Sequence, residues 1–160
     1  MSAGQLPHTE ERHNLEFTIR YGLCLNARHK ALYGHLRQWF SGLSLLFGMG
    51  ALAFLTGDKG WLGTIAGVSI AVIVVLDNQI DPAGKVHAFA GWHRRWGKLF
   101  RRLGEGEALD AIGAGVAKLQ GASSATLQGL TFVAYNDAAL EMGLQPDKLT
   151  LWQRFLAVLA

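Results

Sequence analysis

Cysteine, proline and charge are all scarce in this chain of 160 residues. The one cysteine, Cys24, excludes a disulfide scaffold, and with six scattered histidines it offers no zinc-finger spacing. Charged residues make up 17% while half the chain is hydrophobic, the reverse of the balance that keeps a chain disordered. Twenty glycines fall without a three-residue period, which excludes collagen. No internal repeat or low-complexity tract occurs. Nor does GxSxG, a P-loop, HExxH or a carboxylate pair at catalytic spacing, so an enzyme has no positive support. No secretory signal is expected, because the first apolar run begins near residue 40 without a cleavage site.

What is present is unevenly placed. Residues 40–55 read FSGLSLLFGMGALAFL and residues 61–76 read WLGTIAGVSIAVIVVL, neither with a charge. Thr56-Gly57-Asp58-Lys59-Gly60, a run of turn formers, joins them. Each run is about 16 residues, or ~24 Å of helix, short but admissible for a bilayer core. Neither shows a polar stripe, and a helix apolar all round must be buried in protein or in lipid. The remaining chain is too small to wrap two such helices. The expectation is therefore an all-α membrane protein with a two-span hairpin (40–56 and 61–76). A cytoplasmic amphipathic helix (1–39) precedes it, and a cytoplasmic basic helix with a helical tail (77–160) follows.

The flanks set the orientation. Arg12, Arg20, Arg28, Lys30 and Arg37 precede the hairpin, and Lys85, Arg94, Arg95, Lys98, Arg101 and Arg102 follow it. The loop carries only Lys59 beside Asp58. Positive residues stay inside, which puts both termini in the cytoplasm and the 57–60 loop in the periplasm. Trp39 and Trp61 then suit opposite interfaces, where an indole satisfies both its ring and its N–H. The pI of about 9.2 admits nucleic acid, but topology accounts for the basic residues more simply, so no nucleic-acid partner is expected.

Residues 11–39 carry a 3–4 spaced stripe of Leu15, Thr18, Gly22, Leu25, His29, Leu32, Leu36 and Trp39, with Ile19 and Leu23 off it. After the second run, Pro82 forbids a continuous helix, and Asp81 before it makes a cap and first position for a new one. That helix, about 82–103, puts Val86, Phe89, Ala90, His93, Trp96, Gly97, Phe100 and Leu103 on one face. Arg94, Arg95, Lys98, Arg101 and Arg102 fall opposite. Such a helix can lie on anionic headgroups; the reading preferred here packs its aromatic face on the first helix. Ala108, Leu109, Ile112, Val116 and Leu119 mark a further helix. Ser123-Ser124 can cap another carrying Leu127, Leu130, Val133, Ala134 and Ala138, ending at Gly143. Thr150 and Gln153 have capping-box spacing for a last one.

Candidate chemistry is thin. His29 with His35, and His87 with His93, are six apart and point to different faces, so no metal site or cofactor is expected. Asp77 and Asp81 at the mouth of the second span suit helix termination better than ion handling. Cys24 has no activating partner in sequence. One feature is more specific: Gly63, Gly67 and Ala71 repeat every four residues in the second run, with Ser44 and Gly48 matching in the first. In lipid, small residues that admit close backbones mark packing faces, here within the hairpin or between chains. Two spans enclose no pathway alone, so a homo-oligomer is expected.

The order resembles the SLATT-type bacterial membrane effectors, through YGLCLNARHKALYGHLRQWF (21–40) and KVHAFAGWHRRWGKLFRRL (85–103) flanking the hairpin, over residues 12–103. The resemblance implies an oligomeric inner-membrane effector that breaches the membrane in a bacterial or phage conflict system. A separately encoded sensor protein would trigger it. The alternatives are a phage holin or superinfection-exclusion protein, and a soluble helical interaction module with the hairpin as its core.

Overall fold

The computed structural model describes the backbone of residues 5–55, 60–122 and 126–160, and the side chains of residues 9–50, 61–122 and 126–160. The described residues form six helices and no strand: α1 (Gln5–Leu55), α2 (Gly60–Ile80), α3 (Pro82–Gly104), α4 (Leu109–Gly121), α5 (Gln128–Glu141) and α6 (Leu151–Leu159). The 56–59 part of the connection and Ser123-Ser124 lie outside the described residues. The long first helix carries into the apolar run without a break, as its freedom from proline allows after the first turn. The chain divides into two compact units, one of residues up to Ala31 with His87–Ala160, the other of Leu32–Val86.

The first unit has an ordinary core. Ile19 from α1, Trp96, Leu99 and Leu103 from α3, and Ile112 and Val116 from α4 form one buried cluster, with Leu15, Leu23, Phe100, Leu109 and Leu119 packed around it. The aromatic face of α3 thus packs on α1. The buried positions of α1 are Ile19, Gly22, Asn26, His29 and Tyr33, a 3–4 seam turned from the expected stripe by one helical step. Only Gly22 and His29 belong to both; Thr18 and Leu25 sit half-buried at its edge. The reason is that hydrophobicity does not choose this seam. A backbone without a side chain at Gly22 admits the Trp96 indole, and a Cβ there would lie 2.5 Å from its Cδ2. On α3 the shift is similar: His93 is exposed and Leu99 is buried.

α5 and α6 complete this unit with Leu130, Val133, Ala134, Ala138, Ala139 and Leu156. α5 begins at Gln128, with Leu127 as an extended N-cap residue rather than a helical one. It ends in a Schellman turn: the Leu144 N–H reaches the Ala139 carbonyl at 2.8 Å, and Gly143, at φ 72°, donates to Leu140. Buried Asn136 then pairs in both directions with the Asp147 backbone (2.7 and 3.0 Å), closing the link to α6. The Thr150–Gln153 capping box starts α6.

The second unit is different in kind. It holds the end of α1, all of α2 and the first turn of α3. Among its described residues few are buried: Tyr33, Gly63, Ala66 and Pro82. Lys85 places its ammonium 4.9 Å from the centroid of the Tyr33 ring.

Candidate functional site

The second unit exposes many large apolar side chains. Leu45, Leu46 and Met49 on α1, and Ile65, Val68, Val72, Val74, Val75 and Leu76 on α2, are all exposed. Trp39 and Trp61, the expected interface anchors, are exposed as well, at 64% and 63%. One helix, beginning at Trp61, is long and apolar enough to cross a membrane, and its most apolar stretch is 11% buried within the chain. A contiguous apolar surface of this extent marks a site for lipid or for another protein.

The small residues separate into two groups. Gly63 is buried inside the chain and Ala66 accompanies it, three residues on. Gly67 and Ala71 are exposed, and Ser44 and Gly48 are half-buried. A Cβ added at Gly67 or at Gly48 meets nothing within 4 Å. The close intrachain face on α2 therefore runs through Gly63 and Ala66, which leaves Gly67 and Ala71 open.

α2 stops at Asp81. Its backbone takes φ 45°, a left-handed conformation uncommon outside glycine, asparagine and aspartate. Its N–H still closes the last turn of α2 on Asp77 (2.9 Å), while its carboxylate accepts the Gly84 N–H at 3.0 Å to begin α3. One residue thus ends one helix and caps the next, with buried Pro82 at the first helical position, where a missing N–H costs nothing.

The five cations on the second half of α3 do not act alike. Arg94, Arg95, Lys98 and Arg101 are exposed, and Arg102 is half-buried. Arg101 pairs with Glu105 at 3.5 Å, and Arg102 grips Glu107 through both Nε and Nη2. Arg95 stacks over the Trp92 ring at 4.7 Å. The last turn of the helix is thus locally compensated, while the Arg94–Lys98 stretch keeps its charge without an acidic partner among the described residues.

A polar cluster in the first unit was not legible in the sequence. His29, fully buried, lies 4.6 Å from the Phe89 ring in a stacked pair. Its Nε2 accepts the Leu127 N–H (3.0 Å), so the proton sits on Nδ1 and is donated to the Leu25 carbonyl (2.8 Å). One imidazole therefore ties α1 to the N-cap of α5. Arg28 donates two bonds to Asp137 (2.8 and 3.1 Å) and one to the Ala157 carbonyl (2.9 Å), joining α1 to α5 and α6. Arg20 bridges Glu16 and Glu141. Cys24 lies 3.7 Å from Glu141, and burial, helped by the charges of Glu141 and Asp137, pushes its thiol up to about 12. Such a shift favours the neutral thiol near pH 7 and so weakens Cys24 as a nucleophile. No group of three or more His, Cys, Asp or Glu converges as a metal site among the described residues.

Burial also lowers the pKa of His29 below the ordinary imidazole value of 6.5. Above that value the folded and unfolded chains are both neutral here. As the pH falls through it, the unfolded chain takes up a proton that the fold refuses, so stability drops with falling pH. The first unit should therefore melt at a lower temperature at pH 5.5 than at pH 7.5, and His29→Gln should flatten that dependence. A slope unchanged in the variant would place its origin elsewhere.

Compared with known protein families, with curated proteins and with solved structures, the chain shows no match.

Proposed function

We propose that this chain is an inner-membrane protein whose two apolar helices cross the bilayer as a hairpin, with both ends in the cytoplasm. Copies associate through the open Gly67–Ala71 face and compromise the membrane as a conflict-system effector. The observation that carries the reading is the apolar surface of the second unit, exposed along both helices and bounded by Trp39 and Trp61. A hairpin serving as the core of a soluble module would bury that surface; within the chain the most apolar stretch is 11% buried. Lipid satisfies it at no cost to the backbone, because every amide of a spanning helix bonds within the helix.

The effector role rests on the likeness of residues 12–103 to the SLATT-type proteins, and the anionic headgroups facing Arg94, Arg95 and Lys98 fit the same orientation. The helical bundle of the first unit is then the part that a separately encoded sensor would engage.

Expression at a controlled level, with a potential-sensitive dye and membrane cross-linking, tests this. The wild-type chain should resist carbonate extraction, form cross-linked oligomers and depolarise the membrane when its partner gene is present. Gly67→Leu should abolish the oligomers and the depolarisation together, since the open space at Gly67 lets a single chain accept the leucine. Extraction by carbonate would end the spanning claim. Oligomers that survive Gly67→Leu would remove that face from the interface, and an unchanged potential and growth would end the pore.

A further inference from the structure

The first unit contains a cavity of about 210 Å³ between α1, α3 and the end of α4, and its walls are chemically selective. Four aromatic rings line it, those of Tyr21, Phe89, Trp92 and Trp96. Thr18 and Thr126 add hydroxyl groups, Asn26 and Gln120 add amides, and no charged side chain is part of the lining. Pockets for drug-sized ligands span roughly 300–1,000 Å³, so this one holds a single ring system.

Asn26 and Thr18 have capacity left. Asn26, 8% exposed, donates one Nδ2 proton to the Gly22 carbonyl at 2.6 Å. An amide offers two protons and an acceptor oxygen in all, and that one bond uses a single proton. The Thr18 hydroxyl gives its proton to the Asn14 carbonyl (2.9 Å), which leaves its oxygen to accept. Burial raises the Tyr21 phenol above its usual value, so it stays a neutral donor. An anion brought here would lose its hydration without a cation in the lining to replace it. The Arg95 guanidinium lies over Trp92 at 4.7 Å but is not among the lining side chains.

We propose that this cavity binds a small, uncharged, planar aromatic amide or lactam, with its ring against Trp92 and Trp96 and its amide edge on Asn26 and Thr18. The rings supply stacking area, and the buried amide rejects ligands that leave it unpaired. The site is independent of how the apolar helices are used.

Saturation-transfer NMR on the full chain in detergent tests it, with benzamide and benzoate as probes of the same ring and nearly the same size. Benzamide should bind with a Kd of about a millimolar or tighter, as a ligand of so few atoms allows. It should exceed benzoate by about tenfold or more, the cost of one uncompensated charge being at least that large. Asn26→Leu, Trp92→Leu and Thr18→Val should each weaken benzamide several-fold, and Trp152→Leu, on α6, should not. Melting of each variant checks folding; should Asn26→Leu fail it, the half-buried Trp92 and Thr18 positions carry the test. No transfer to benzamide, equal binding of benzoate, or transfer that survives both Trp92→Leu and Thr18→Val would overturn the proposal.

Discussion

Val68→Arg should reverse the location of the C-terminus. In the proposed topology Val68 lies near the middle of the second span, ~10 Å along the helix from Trp61 and ~14 Å from Asp77 at ~1.5 Å per residue. Arginine near the centre of a spanning helix costs about 2.5–3.5 kcal/mol to insert, a factor on the order of a hundred in the equilibrium. The short side of the span is too far for full snorkelling. A C-terminal alkaline phosphatase fusion, active only outside the cytoplasm, reads the outcome. It should be inactive on the wild type and on Val68→Ala, and active on Val68→Arg, because a failed second span strands the tail in the periplasm.

The same change separates lipid from water sharply. Val68 is 60% exposed, and in a soluble protein an exposed valine exchanged for arginine shifts stability by no more than about 0.5 kcal/mol. A fusion inactive in every variant, with the arginine chain melting like the wild type, would sink the span.

The second large effect is expected at Ile19. Its side chain has no exposure and contributes to the cluster of Trp96, Leu99, Leu103, Ile112 and Val116. Truncation to alanine removes three carbons and leaves a cavity between helices that Gly22 and Trp96 already hold at close range, costing about 2–5 kcal/mol. Against a total stability of about 5–15 kcal/mol, that is enough to make the bundle protease-sensitive. Thr18→Ala, one residue away and half-buried, should cost about 1 kcal/mol or less. Denaturant midpoints of the two variants, compared with the wild type, measure the difference directly. Equal costs would mean that the seam of α1 runs through Thr18 after all.

That pair of neighbours also marks how far the residues alone could be read. Apolar spacing along α1 selects a stripe through Leu15, Leu25, Leu32 and Leu36. The face that is buried keeps Gly22 and His29 from that stripe and adds Ile19, Asn26 and Tyr33, which lie off it. Gly22 is inside because an indole needs the room, Asn26 because its amide bonds back to the Gly22 carbonyl, and His29 because its two nitrogens satisfy groups on α1 and at the α5 N-cap. For Gly22 and His29 the deciding partners, Trp96 and Leu127, lie about 70 and 100 positions away along the chain. The aromatic-lined cavity was equally invisible, since Tyr21 and Trp92 belong to different helices.

Local features were more legible. The Thr150–Gln153 capping box and the Asp81-Pro82 break depend on groups within four residues of each other, so sequence spacing suffices to find them. The start of α5 shows the limit: a serine pair suited to capping lies at 123–124, yet helix begins at Gln128, after an N-cap whose backbone N–H is taken by a distant histidine.

By itself the sequence determined that the chain is helical, where it breaks at Asp81-Pro82, and which stretches are long, apolar and uncharged. Those properties are sums over neighbouring residues: propensity, capping, and hydropathy per turn. Only the tertiary structure decided which face of α1 is inside, that Gly63 rather than Gly67 meets its own chain, and that His29 and Arg28 are joints between helices. Those outcomes depend on shape and hydrogen-bond partners brought together by folding, and spacing along one helix does not encode them.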